Sequence, residues 1–207
     1  MALLINNTAI NPNTNDVYVN NVAQNKVYIN NVQVWERIRE TKVVDGVSNV
    51  NLLDSSDNGG FNPINPISMV SGQGLQWYQP DANSFGYARR YGWVDFTNIN
   101  LLTFYWNNVT ANRRGQDGNP EAWIEVYVLN WPNVSFDAYG RPNSGIAAQG
   151  KVQTIYGNVS QLIVNHPSGS YTINTTGATG SKVVMLYIYG YYMNQHQGQV
   201  YKIIGTK

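Results

Sequence analysis

The run Glu121-Ala-Trp-Ile-Glu-Val-Tyr-Val-Leu129 alternates polar or aromatic positions with aliphatic ones. Side chains two apart share a face of an extended strand, so Glu121, Trp123, Glu125 and Tyr127 stand on one side. Ala122, Ile124, Val126 and Val128 stand on the other and read as a core face. A flat ring takes the C–H side of a pyranose, and carboxylates accept its hydroxyls; the first row supplies both chemistries. The same row also suits packing beneath a loop or between subunits, where Tyr and Trp are enriched as well. Tyr105, on the reverse of a strand over Leu101 to Trp106, is the candidate neighbour. Catalysis has little to work with. Glu121 and Glu125 lie about 13 Å apart along a strand, beyond the roughly 5–9.5 Å of glycosidase pairs. His166 and His196 sit in turn-like contexts without a serine or carboxylate motif, and there is no cysteine. The expectation is a protein that is not an enzyme.

Three further groups carry chemistry. Trp77-Tyr78-Gln79 and Tyr87-Ala-Arg-Arg-Tyr-Gly-Trp93 set rings beside hydrogen-bond donors, and Arg89 or Arg90 offers a planar fork for an acidic sugar or phosphate. Asp54, Asp57 and Asn58 beside Gly59-Gly60 place hard oxygen ligands on what reads as a turn, the candidate site for a structural calcium ion. Their spacing is not that of an EF-hand loop, and a solvated turn is the plainer reading. No other cofactor is expected.

These residues need strands to hold them. The pattern predicts strands over Leu75 to Tyr78, Tyr87 to Tyr91, Leu101 to Trp106, Ala122 to Leu129, Lys151 to Ile155, Gln161 to Val164, Gly169 to Asn174, Val183 to Tyr191 and Gln199 to Ile204, with turn-rich stretches between, including Asp54 to Gly60. No segment keeps a helical apolar period. Leu102, Phe104, Trp106, Val184, Leu186 and Ile188 read as core, and Met185, Tyr187 and Tyr189 as the reverse face. Ahead of this region a phrase occurs twice, Val17-Tyr-Val-Asn-Asn-Val22 and Val27-Tyr-Ile-Asn-Asn-Val32. Asn-Asn closes each copy with residues that tolerate the left-handed turns of hairpins, so a β-meander is expected, turning at residues 20–21, near 25–26 and at 30–31. The fold class is therefore all-β: an N-terminal β-meander, residues 1–44, followed by a jelly-roll-like antiparallel β-sandwich, residues 45–207.

The chain has 207 residues, a formal net charge of +1, and only 12% charged residues, against roughly 25% in average domains. Arg89-Arg90 and Arg113-Arg114 are isolated pairs, so no basic field for nucleic acid is expected. Asparagine supplies about one residue in seven and aromatics 13%, mostly tyrosine, which fits a polar surface that reads neutral ligands. No apolar run approaches the roughly 20 residues of a membrane span, and the start lacks the basic region of a signal peptide.

Two resemblances add to this. The phrase VYINNVQVWER, residues 27–37, resembles segments that recur in tail and fibre proteins of tailed bacteriophages, with Asn31 where glycine is frequent. Residues 95–104 and 170–188 resemble the galactose-binding-like jelly roll of carbohydrate-binding modules, a type that often holds structural calcium. Together they imply a virion protein of tail, fibre or baseplate, assembled in the bacterial cytoplasm. Residues 1–44 would contact other virion proteins, a homo-oligomer, by the resemblance a trimer, would form, and the sandwich would offer a surface for host glycan. Two alternatives stand beside it: a purely structural virion protein with no glycan ligand, and a carbohydrate-binding module of a secreted glycosidase.

Overall fold

A computed structural model of the chain describes residues 4–5, 8–11, 16–19, 22–24, 26–29, 32–36, 40–80, 82–113, 121–131, 134–143, 151–154 and 168–207. Residues 1–40 and 41–206 form two compact units.

In the first unit, β1 (Leu4–Ile5), β2 (Thr8–Asn11), β3 (Asp16–Val19) and β4 (Val22–Gln24) make an antiparallel sheet in that order, and β5 (Lys26–Ile29) pairs with β6 (Val32–Glu36). The two Asn-Asn intervals lie where the repeat places them: Val19 faces Val22 across residues 20–21, and Ile29 faces Val32 across 30–31. The expected continuous meander is divided, because β4 and β5 belong to different sheets.

The second unit is an all-β sandwich. Its strands are β7 (Glu40–Asp45), β8 (Val50–Asn51), β9 (Ser55–Gly60), β10 (Ser68–Val70), β11 (Gly74–Gln79), β12 (Ala82–Asp95), β13 (Leu101–Arg113), β14 (Glu121–Leu129), β15 (Lys151–Thr154), β16 (Gly169–Asn174) and β17 (Ser181–Thr206). The last strand organises the others. Residues 181–193 of β17 run between β12 and β14, with β9 beyond β12 and β15 beyond β14. Residues 193–206 run between β11 and β13, with β10 beyond β11 and β16 beyond β13. One strand thus serves as the centre of both layers, here named the first and second sheets. A strand that changes sheets needs a corner, and Tyr192 provides it with a φ of 53°, a conformation rare for a bulky residue.

The sequence divides the two ends of β17 correctly but not its middle. Gln195-His-Gln-Gly198, expected as a turn, is strand, and the two strands predicted over 183–191 and 199–204 are one. Alternation of Gln195, Gln197, Gln199 and Tyr201 with His196, Gly198 and Val200 was the available signal. Asp54 to Gly60 is likewise mostly strand β9, paired in register with β12 from Tyr91↔Ser55 to Gly86↔Gly60. The predicted strand over Gln161 to Val164 lies outside the described residues.

Between the sheets lies the main core. Leu102, Phe104 and Trp106 of β13, Ala122, Ile124, Val126 and Val128 of β14, and Val184, Leu186 and Ile188 of β17 are all buried there, as their alternation requires. Close approach also fixes a residue type. A Cβ at Gly92 would collide with the carbonyl oxygen of Leu52, where the segment after β8 crosses β12. Near the corner the interior is polar. His196 is fully buried, its ring 5.8 Å from that of Trp77, and neither ring nitrogen has a hydrogen-bond partner among the described residues. Gln79 beside it donates to the carbonyl of Asn62 at 3.1 Å.

Candidate functional site

The outer face of the first sheet is aromatic on three neighbouring strands. Register sets Tyr87 of β12 beside Tyr189, and Arg89 beside Tyr187, on one flank of β17. On the other flank it sets Tyr127 beside Met185, Glu125 beside Tyr187, and Trp123 beside Tyr189. The expected shared face of β14 and β17 therefore exists. Tyr105 does not belong to it, because β13 pairs with the other half of β17; its ring lies 5.9 Å from Tyr201 on the second sheet.

The centre of this face is covered. A tight turn over Asp137–Arg141, in which Asp137 accepts from the amides of Tyr139 and Arg141 at 2.8 and 2.9 Å, lies across it. Gly140 has a φ of +74°, and a Cβ there would enter the Tyr87 ring. Three side chains of the sheet and the turn hold the cover. Arg89 forks onto Asp57 at 2.6 and 2.7 Å, donates to the Gly140 carbonyl at 3.1 Å, and places its guanidinium 4.2 Å from the centre of the Phe136 ring. Arg141 donates to Glu125 at 3.1 Å, and the Tyr187 hydroxyl donates to the Tyr139 carbonyl at 2.7 Å. Tyr127 donates to the same Glu125 carboxylate. Burial, with the Glu125 charge adding to it, pushes the Tyr127 phenol far above its ordinary range; burial does the same to Tyr187.

Several candidate ligand residues are thus structural. Glu125 is 1% exposed and Tyr127 is buried, so a sugar does not reach them while the turn is in place. Burial beneath a loop is the alternative that the row of rings and carboxylates always allowed. Arg89 is committed to Asp57 and the turn. Arg90 points to the opposite side of β12 and donates to the carbonyls of Leu53 and Ile67. Trp77 is in the core. The carboxylate of Asp57 is satisfied by an arginine, and Asp54 precedes a strand, so this pair does not fit a calcium ion. Glu121 and Trp123 have described backbones, opposite Tyr191 and Tyr189, but their side chains lie outside the described residues.

Rings come to the surface where the cover ends. Phe61 is 81% exposed and Tyr139 49%. Phe85 lies between them, 5.6 Å from Phe61 and 5.1 Å from Tyr139, with Tyr189 at 6.5 and 6.1 Å from Phe85 and Tyr139. This end is where register brings Trp123 and Glu121. Sequence reasoning missed Phe61, Phe85 and Tyr139, which follow turn-like stretches and gain their meaning only from the fold. At the far end Trp131 stacks on Tyr91 at 5.9 Å, with Trp93 54% exposed nearby on β12.

No family model matches the sequence, and no curated protein does. The solved structures to which the chain is similar include carbohydrate-binding modules and a bacteriophage tailspike domain. TmCBM61, solved with β-1,4-galactotriose, is 7% identical, with a TM-score of 0.40 over 75% of this chain and 89% of that one. TmCBM27, a mannan-recognising module, is 10% identical, with a TM-score of 0.39 over 82% of this chain and 98% of that one. A domain of the bacteriophage CBA120 tailspike protein 4 is 12% identical, with a TM-score of 0.33 over 83% of this chain and 19% of that one.

Proposed function

We propose that the chain is a non-catalytic carbohydrate-binding protein whose site is the ring cluster of exposed Phe61 and Tyr139 with half-buried Phe85 between them, extended by the strand positions of Trp123 and Glu121. The observation that carries this reading is the exposure of Phe61 and Tyr139 beside the strand positions of an alternating Glu and Trp. Large rings left in water on a folded surface call for an occupant, and pyranose C–H faces suit them. The low charge of the chain fits a neutral or weakly charged glycan. In its fuller form the proposal keeps the phage virion setting suggested by residues 27–37: an oligomer held by the N-terminal unit, presenting the sandwich to a bacterial surface. Weak sites suffice there, because millimolar affinity is about −4 kcal/mol and linked copies gain roughly 10²–10⁴ in avidity.

A bacterial-polysaccharide array probed with the full chain tests the reading. Phe61→Ala with Tyr139→Ala, or Trp123→Ala alone, is expected to lower the signal at least tenfold with an unchanged melting curve. The second reading is a structural virion protein in which these rings meet a neighbouring subunit. It is favoured if the variants bind as before, or if the wild type binds nothing, and the same substitutions shift the oligomer on size exclusion.

A further inference from the structure

The outer face of the second sheet differs in chemistry from that of the first. Gln195, Gln197 and Gln199 occupy successive outward positions of β17, and Tyr201 follows. Register extends each into a row. Gln199 is flanked by Gln76 of β11 and Asn107 of β13, and Ser68 of β10 lies beyond Gln76; Gln197 is flanked by Tyr78 and Thr110. Neighbouring strands are about 4.8 Å apart, so the Ser68-to-Asn107 row is roughly 14 Å wide. The inward partners, Leu75, Trp77, Val200 and Ala111, are core, which turns the amides to the opposite face; there Gln76, Gln195 and Gln197 are half-buried and Gln199 is 9% exposed, so Gln197 and Tyr78 are the reachable part of the strip.

Rings border this strip. Tyr78, 42% exposed, ends the Gln197 row, and Tyr105 lies 5.9 Å from Tyr201 below the Gln199 row. Lys202 is the one cation in the described rows, held 5.7 Å over the Tyr105 ring. The amides are only partly spent on one another. Gln76 donates to Gln199 at 3.1 Å and Gln195 to Gln197 at 3.0 Å, which leaves the Gln197 and Gln199 N–H groups without a partner among the described residues. Each side-chain amide both donates and accepts, so a row of them matches vicinal hydroxyls, which do the same. Nucleic acid needs clustered cations, and among the described side chains of these rows Lys202 stands alone. A peptide adding to a sheet would pair at its edges, not over its face.

We infer that this face is a second carbohydrate surface, one that takes an extended neutral polysaccharide chain across the amide rows between Tyr78 and the Tyr105–Tyr201 pair. It is independent of the ring cluster on the first sheet and makes each chain bivalent.

The test is affinity electrophoresis of the full chain in gels cast with a soluble mannan, xylan or mixed-linkage β-glucan. Tyr78→Ala with Gln197→Ala is expected to lose at least tenfold in apparent affinity for one or more of these, with an unchanged melting temperature. Gln197→Glu, which keeps size and adds charge, should lose a similar factor. Phe61→Ala with Tyr139→Ala should still be retarded, and that variant reports on the ring cluster separately. Retardation indifferent to both amide-face variants, or absent for every polysaccharide, overturns the inference. So does a change from dimer to monomer in those variants on size exclusion, which would make a second copy the occupant.

Discussion

His196 is a charge-capable group placed where no charge is tolerated. Burial lowers its pKa from 6.5 to about 3, so the folded protein keeps the ring neutral while the unfolded chain takes a proton below pH 6.5. Stability is therefore fully held above pH 6.5 and lost as pH falls toward 3, by about 1.4 kcal/mol per unit. Between pH 6.5 and 5 ordinary carboxylates do not yet titrate, so the slope there belongs to histidine. Urea unfolding should lose about 2 kcal/mol across that interval, and His196→Phe should flatten the curve. A wild-type curve that is level over the same interval would refute the assignment. Residue-scale reading of the sequence succeeded where alternation decides the environment, as in Ile124, Leu186 and Phe104. It failed at His196, because the neighbouring glutamines and Gly198 look like turn residues unless the period of two is counted.

The Asp137–Arg141 turn converts an exposed sheet face into a second, smaller core of Tyr127, Met185, Tyr187 and Leu129. Its two arginine contacts have different weights. Asp57 keeps 38% of its side-chain exposure, so Arg89→Met leaves a carboxylate that water can solvate, at a cost of about 1 kcal/mol. Glu125 keeps 1%, so Arg141→Met removes the counter-charge from a buried carboxylate, at a cost of about 3–5 kcal/mol. Urea unfolding of both variants should rank them in that order, and adding Glu125→Gln to Arg141→Met should recover most of the loss. Equal costs would mean that the buried pair is not what holds the cover. Nothing in residues 134–143 alone announces this element. A short stretch punctuated by Asp137, Gly140 and Pro142 reads as a loop, and only the register of β12, β14 and β17 shows that three aromatic strands lie below it. That is also why the row of Glu125 and Tyr127 was legible as a face while its covering was not.

At the scale of the molecule, both sheets of the sandwich depend on one strand, β17. β17 pairs with β7, β11, β12, β13 and β14, so the central strand of both sheets is made of the final residues of the unit. These pairings join distant parts of the sequence and carry a large loop-closure cost before they stabilise anything. Folding should accordingly wait for the whole chain. Removing residues 195–207 would take the centre from the second sheet, leaving β11 and β13 without their common neighbour and exposing the strand edges to aggregation. Removing residues 1–39 takes none of the sandwich strands or the buried residues between them. The expected outcome is a soluble product of residues 40–207 with a cooperative thermal transition and a β-type circular dichroism spectrum, against an insoluble product of residues 1–194. If instead the C-terminal truncation melts cooperatively, the shared strand is not the element on which both sheets depend. If the N-terminal truncation fails to fold, the two units are one cooperative structure, and the ring cluster and the amide face would have to be studied in the full chain alone.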